Sequence, residues 1–369
     1  MIYLDWNATA PLHPAARAAW LAAQDGAWGN PSSIHQVGQE ARLACDQTKG
    51  VIARHLGAKA HELVVTSGGT EANALAIHAA LAERAGTIVC SAIEHSSVLR
   101  NAETLGPVVL APVDGEGRLV PEALVAAVRG ARLVCLQVAN NETGTLQDLA
   151  TLIPAMRAAQ DGLWIHLDAC QGAGKVPLHL GKTGADSASI AGHKIGAPKG
   201  IGLLWVAGGH RTLPLLRGGR QQQDRRSGTE DAPGLAALAA ALDQAMGHLA
   251  EEHLRQTTLL ADLWAELSQA LPQAVWLGYG APRLANTLCL LHPGLANEAV
   301  VQRLDLAGFA VSKGSACMAA RGEPSHVVAA CGVERDLARS AIRVSIGSLT
   351  TRQDLAAFRN AYMDIVHHS

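Results

Sequence analysis

The chain has 369 residues, 49% of them hydrophobic and 17% charged, with a formal net charge of −2. That length suggests two domains, each large enough to bury a core. A near-neutral balance and only 3% aromatics exclude the basic, ring-rich footprint of a nucleic-acid binder.

From its start, Met1-Ile2-Tyr3-Leu4-Asp5 offers neither the basic nor the apolar region of a secretory leader, so none is expected. Short apolar runs then alternate with Ala-rich amphipathic segments. The pattern predicts helices at 14–23 and 38–56, a strand at 62–66, a helix at 71–84 and strands at 87–91 and 108–111. It continues with a helix at 121–128, a strand at 133–138, a helix at 148–160 and strands at 164–168, 187–191 and 202–206. Such alternation reads as an α/β fold with a largely parallel sheet covered on both faces. A polar stretch rich in Gly, Arg and Gln at 208–230 interrupts it. Leu235, Leu238, Leu242, Met246 and Leu249 then recur at helical steps within an Ala/Leu pattern over 231–271, which Pro272 ends. Asp243 breaks that apolar stretch, so no membrane span is expected. The remainder, with strands at 287–291 and 342–345, reads as a smaller α+β domain. The expected division is 14–250 for the large domain, and 1–13 with 251–369 for the small one.

The seven cysteines are odd in number and none forms C-x-x-C, which fits reduced thiols in a cytoplasmic protein. No paired ligand spacing accompanies the sixteen histidines, so no metal site is expected.

Three stretches carry chemistry. In Val64-Val65-Thr66-Ser67-Gly68-Gly69-Thr70-Glu71 a predicted strand runs through glycines into a helix. Bare backbone N–H groups and a hydroxyl at a helix start suit a phosphate, although the same turn serves as an ordinary cap with Thr70 at its head. It lacks the G-x-G-x-x-G spacing of a dinucleotide site. In Trp164-Ile165-His166-Leu167-Asp168-Ala169-Cys170-Gln171 an acid ends an apolar strand. Ligands of open α/β sheets gather at that edge, and a protonated ring nitrogen would partner the carboxylate; a turn-capping aspartate is the alternative. In Ala191-Gly192-His193-Lys194-Ile195-Gly196 a lysine lies among small residues just past a strand, where desolvation can free its amine. Phosphate turn, strand-end acid and following lysine are together three of the contacts that pyridoxal 5'-phosphate requires.

With these motifs in this order, the sequence resembles the cysteine desulfurases of the NifS/IscS type, in the class-V aminotransferase group. Tyr3-Leu4-Asp5-Trp6-Asn7-Ala8-Thr9, Gly29-Asn30-Pro31-Ser32-Ser33-Ile34-His35 and Ser340-Ala341-Ile342-Arg343-Val344-Ser345-Ile346-Gly347 extend the likeness over nearly the whole chain. The resemblance implies a fold-type-I transferase, its large domain built on a mostly parallel seven-stranded sheet. It makes Lys194 the amine that holds the cofactor's aldehyde, Asp168 the partner of its ring nitrogen and Gln171 that of its phenolic oxygen. His95 would lie on the ring face and handle protons; Gly69, Thr70 and His193 would hold the phosphate. Arg226-Ser227-Gly228-Thr229 resembles the loop that lends Thr229 to a neighbouring subunit's phosphate, which implies a homodimer. Asn141 and Arg343 match groups that hold the substrate. Gly314-Ser315-Ala316-Cys317 resembles the loop carrying the nucleophile, Cys317. The other buried-type cysteines, Cys45, Cys90, Cys135, Cys289 and Cys331, read as packing residues.

The implied reaction converts L-cysteine to L-alanine, leaving sulfur as a persulfide on Cys317 for an acceptor protein such as an iron–sulfur scaffold, or for thiolation. A selenocysteine lyase or another class-V aminotransferase would share the cofactor residues. Four departures stand out: Ala191 where relatives place a phosphate-binding serine, Trp6 for asparagine, Lys313 for serine and Ser348 for arginine. Ser189 is nearby, but two positions before Ala191 on the same strand it need not reach the same point.

Overall fold

Each of the seven apolar runs between 62 and 206 becomes a strand of one sheet. The computed structural model describes residues 1–82, 84–208, 210, 213–314 and 324–368. In chain order its strands are β1 (Ile2–Tyr3), β2 (Leu63–Thr66), β3 (Thr87–Ser91), β4 (Val108–Ala111), β5 (Ala131–Gln137) and β6 (Trp164–Asp168). There follow β7 (Ser187–Ala191), β8 (Gly202–Val206), β9 (Val275–Leu277), β10 (Thr287–Leu291), β11 (Phe309–Ala310) and β12 (Ile342–Ser345).

The large sheet has the order β2-β8-β7-β6-β5-β3-β4. Only β8 runs against the rest, pairing antiparallel with both β7 and β2. The carboxyl ends of β2, β3, β5, β6 and β7 therefore open on one edge, where α/β sheets collect ligands. β5 to β8 read as near-continuous apolar runs because both of their faces are covered. On one face lies a core that includes Ile52, Val134, Ile165, Leu203 and Leu238; on the other Leu75, Ile77, Ile88 and Leu133 gather.

A second sheet, β12-β10-β9, is antiparallel. Leu4 packs there with Leu260, Leu267, Leu290, Phe358 and Ile365, and β1 pairs with β11. The N-terminal strand thus crosses to the C-terminal part of the chain, which carries the segment after it past the open edge of the large sheet.

Two sequence expectations change. The pattern over 231–271 is two helices, Ala232–Gly247 and Leu249–Ala270, meeting at His248 with φ −110° and ψ 10°. Gly247 precedes that break, where a glycine weakens the helix most cheaply. Thr70 is not the cap of its helix. The helix Gly69–Leu81 is capped by Gly68 at φ 153°, a conformation only glycine adopts readily, so Thr70 sits in the first turn. The polar stretch at 208–230 holds one further irregularity. Gln222, Gln223 and Asp224 are consecutive left-handed residues, and the Gln222 amide covers the edge of β2 by bonding both the N–H and the C=O of Val65.

Candidate active site

A cavity of about 350 Å³ opens at the carboxyl edge of the sheet, and its wall is built from the loops that leave five strands. Gly69 and Thr70 follow β2, His95 follows β3, Asn141 follows β5, Asp168 and Gln171 end or follow β6, and His193 and Lys194 follow β7. Arg343, from β12, closes the far side. Nine of the eleven residues expected from sequence therefore meet in one place. Thr229 is exposed and does not line the cavity of its own chain. Cys317 lies outside the described residues.

Lys194 ends a short turn, Gly192–Lys194, and its Nζ donates to the carbonyls of Asn7 (2.6 Å) and Ala8 (2.9 Å). Burial and then the Arg343 charge lower its pKa, which raises the share of free amine. Asp168 is 7% exposed; its Oδ2 accepts from Asn73 Nδ2 (2.9 Å) and its Oδ1 from the Cys170 N–H (3.0 Å). Gln171 is oriented by a neighbour. Lys175 Nζ donates to Gln171 Oε1, and the Gln171 amide N–H₂ donates to the Asn7 carbonyl (2.9 Å), while burial and then the Lys194 charge push the Lys175 pKa well below the ordinary range.

Arg343 is 3% exposed; its guanidinium pairs with Asp5 at 2.6 Å and donates to the Asn141 carbonyl at 3.1 Å. Its Nε–H is buried with no hydrogen-bond partner among the described residues. Asn141 thus enters the site through its backbone as well as its position. His95 is exposed to the cavity, while its Nδ1 accepts from the Ser97 N–H at the start of the helix Ser96–Leu105. Burial lowers its pKa, and the charge of Lys194 acts in the same direction.

Several groups in or behind the wall were not foreseen. Glu94 is 0% exposed, and burial followed by the Asp168 charge pushes its carboxyl well above the usual range. Glu142 is likewise pushed up by burial and lies beside Gly314, where a Cβ would meet its Oε2 at 2.5 Å. His326 also lines the cavity and lies within hydrogen-bonding distance of the Glu94 carbonyl (3.0 Å). Only Asp5 and Asn7 had a signal in sequence, since both stand in the N-terminal motif.

The departures have structural sites. Ala191 lines the cavity, whereas Ser189 is buried beneath it beside Cys170 and does not supply the missing hydroxyl. Trp6 faces a neighbouring cavity and lies over Gly347, so tightly that a Cβ there would meet its ring at 2.1 Å. Lys313 pairs with Glu298. Ser348 lines the neighbouring cavity with Trp6. The packing cysteines are as expected, with burial pushing Cys45 up to about 11 and Cys331 to about 12.

Comparison with known proteins agrees with this geometry. Residues 2–358 match the aminotransferase class-V family. A cysteine desulfurase of Cereibacter sphaeroides is 40% identical over 363 residues, covering 96% of this chain and 92% of that protein. A cysteine desulfurase IscS of Dictyoglomus turgidum is 36% identical over 362 residues, covering 96% and 91%. Among solved structures, a NifS-like protein from Rickettsia africae superposes with a TM-score of 0.90 at 30% identity, covering 100% of this chain and 99% of that one. SspA in complex with cysteine gives 0.82 at 27% identity, covering 94% and 99%. The chain belongs to the class-V aminotransferase family, among its cysteine desulfurases of the NifS/IscS type.

Proposed function

We propose that this protein is a pyridoxal-phosphate-dependent cysteine desulfurase that converts L-cysteine to L-alanine and passes the sulfur on from Cys317. The observation that carries the reading is the meeting of an amine, a strand-end carboxylate, a phosphate turn and a guanidinium around one cavity.

The residues present suit the cofactor. Thr70 and His193, with Gly69 at the helix start, would hold its phosphate; a side chain at Gly69 would strike Cys170 Sγ at 2.4 Å, so close approach is reserved for the backbone. Asp168 would hold a proton on the ring nitrogen, Gln171 would donate to the phenolic oxygen and His95 would cover the ring. Bound there, the cofactor supplies an electron sink for the pair released when the substrate's α-proton leaves.

The chain's own groups do the rest. Arg343, helped by Asn141, binds the substrate carboxylate; its buried Nε–H has no partner among the described residues. Lys194, as free amine, accepts the α-proton. The Cys317 thiolate attacks the substrate sulfur; the carbon–sulfur bond breaks, a sulfur–sulfur bond forms, and alanine departs. The persulfide then passes to an acceptor, which the sequence resemblance makes a protein such as an iron–sulfur scaffold or a thiolation partner.

Two further parts belong to the same proposal. The protein is a homodimer, supported by the exposure of Thr229 away from its own cavity and by Trp28 and Ile34, 70% and 91% exposed. The domains are 14–250, and 1–13 with 251–369, supported by the separate buried clusters of the two parts. No helix among the described residues is long and apolar enough to cross a membrane, and a cytoplasmic location is part of the reading.

The test is alanine release from L-cysteine by the purified protein, with Cys317→Ala and Lys194→Ala alongside. Both variants should lose the activity, and the second also the yellow colour. Alanine release undiminished in Cys317→Ala refutes the reading. Selenocysteine as competing substrate separates a lyase from a desulfurase.

A further inference from the structure

The end of the polar stretch at 208–230 lies along the outer edge of β2 and is bound to it at several points. Gln222 pairs with both backbone groups of Val65, and Arg225 Nη1 donates to the His61 carbonyl at 2.7 Å. The next residue, Arg226, reaches past the end of the strand to the phosphate turn. Its Nε and Nη2 donate to Glu71 Oε1 and Oε2 at 2.8 and 3.2 Å. An exposed ion pair would contribute little, but this one is two-pronged and only 21% and 12% exposed, so it fixes geometry.

Glu71 has a second partner. It is the third residue of the helix Gly69–Leu81, and its Oε2 accepts the Ser67 N–H at 2.7 Å, one residue before the cap at Gly68. Burial alone would raise its pKa, but the Arg226 and Ser67 bonds outweigh it and hold the carboxyl below its ordinary value. One carboxylate thus closes the turn at 67–70 on itself and ties it to Arg226. Its charge also needs Arg226 as a counterweight. A carboxylate suits a helix N-terminus, yet this one stands next to Thr70, where a bare negative charge would repel a phosphate.

On the far side of Thr229 the chain is pinned again. Glu230 pairs with Lys49 at 2.5 Å, the two being 15% and 10% exposed, and Asp231 caps the helix Ala232–Gly247. Between the two ion pairs Ser227 Oγ donates to the Gly219 carbonyl and the Gly228 N–H to Gln221 Oε1. Thr229 therefore stands exposed in a run that is fixed on both sides.

We infer that Arg226 and Glu71 are positioning residues that serve two phosphates at once: that of their own subunit, through the turn Glu71 closes, and that of the partner subunit, through the run that carries Thr229. The inference rests on the reading of Thr229 as a group lent across a homodimer; the ion pair itself belongs to one chain.

The test uses mixed dimers, purified from cells expressing two differently tagged full-length chains. They are freed of cofactor and titrated with pyridoxal 5'-phosphate by the growth of yellow absorption. Lys194→Ala in one chain silences the colour of that chain's own site, so each site is read alone. Thr229→Ala in one chain should weaken binding about tenfold or more at the partner's site and leave its own unchanged. Arg226→Gln in one chain should weaken both sites, each about tenfold or more. In Glu71→Gln/Arg226→Gln the own-site loss should shrink, because no unpaired carboxylate remains beside Thr70, while the partner-site loss persists. Arg226→Gln that weakens one site only, or neither, overturns the inference. Arg226→Lys keeps the charge without the fork and should fall between wild type and Arg226→Gln at both sites. If Arg226→Gln yields no dimer, an Arg226→Lys without loss at either site overturns the inference in its place. Thr229→Ala without loss at the partner's site refutes the shared-site reading, and with it the partner half of the inference. Alanine release, measured separately, decides the desulfurase reading, so the two can fail independently.

Discussion

Burying a neutral histidine makes stability depend on pH in a way that can be worked out for one residue. His166 lies in β6 at 0% exposure, and burial lowers its pKa from 6.5 to about 4. Above 6.5 the ring is neutral in both folded and unfolded chains and contributes no pH dependence. As the pH falls below that value the unfolded chain takes up a proton that the folded chain refuses, so the folded state loses ground down to its own pKa. From about pH 7.5 to about pH 4.5 the loss is roughly 2.5 kcal/mol, at about 1.36 kcal/mol per unit of difference. Other groups titrate in the same range, so the measurement must be a difference. His166→Gln keeps a donor for Asn73 Oδ1 and an acceptor for Ser187 but cannot take a proton. Thermal or urea unfolding of both proteins across this range, at saturating cofactor, should show the wild type losing the extra amount. In melting temperature the divergence is roughly 3 °C for a chain of this size. Two curves that fall in parallel would show that His166 is not the acid-labile group.

Three shorter predictions follow from the same contacts. Arg343→Lys loses the fork that spans Asp5 and the Asn141 carbonyl. A lost charge-assisted bond of about 1.5–3 kcal/mol should raise KM for cysteine roughly ten- to hundredfold with less effect on kcat, and an unchanged KM removes Arg343 from the carboxylate site. Gly69→Ala drives a methyl to 2.4 Å from Cys170 Sγ; cofactor titration should weaken, and adding Cys170→Ala should restore most of the loss if the clash is the cause. Asp224→Gly relieves a residue held at φ 62°, and should stabilise the chain by up to about 1 kcal/mol in urea unfolding, whereas a lower midpoint would show that Asp224 holds a contact worth more than its strain.

The sheet was legible because each of its strands is a short apolar run closed by polar or glycine residues. β7 and β8 match their expected bounds for that reason. The helix Ser96–Leu105 was not, since His95 caps it instead of the usual Ser, Thr, Asp or Asn, and only Ser97, Val98 and Ala102 are buried. β9 is three residues long, too short for alternation to register. The split at His248 escaped because spacing at three and four residues reports a helical face, not a change of axis. In the site, residues carried by local motifs were legible, and Lys194 and Asp168 stand at strand ends where chemistry is expected. Asn73, His166 and Lys175 were not, because each acquires its role from partners remote in sequence: 93 residues between Asn73 and His166, 168 between Asn7 and Lys175. Asn73 reads as one more polar position in a helix until the fold puts Asp168 against it.

The charges around the cavity also suggest how one amine can serve two tasks. Before substrate arrives, Lys194 benefits from a low pKa, because only the free amine reacts with an aldehyde. Burial and the Arg343 charge provide that, with Asp168 and Asp5 opposing. Once a substrate carboxylate binds Arg343, a negative charge is added beside that guanidinium and the second of the two lowering influences is offset. The amine then becomes more basic, which suits a group about to take a proton from carbon. The acidic limb of the pH profile, below which Lys194 is protonated and cannot accept the proton, should therefore lie higher for kcat, which reports the bound state, than for kcat/KM, which reports the free one. In Arg343→Gln, assayed at high cysteine, the guanidinium is gone from both states and the gap between the two profiles should close. A gap that survives in Arg343→Gln would place the change of basicity elsewhere than in the neutralisation of Arg343.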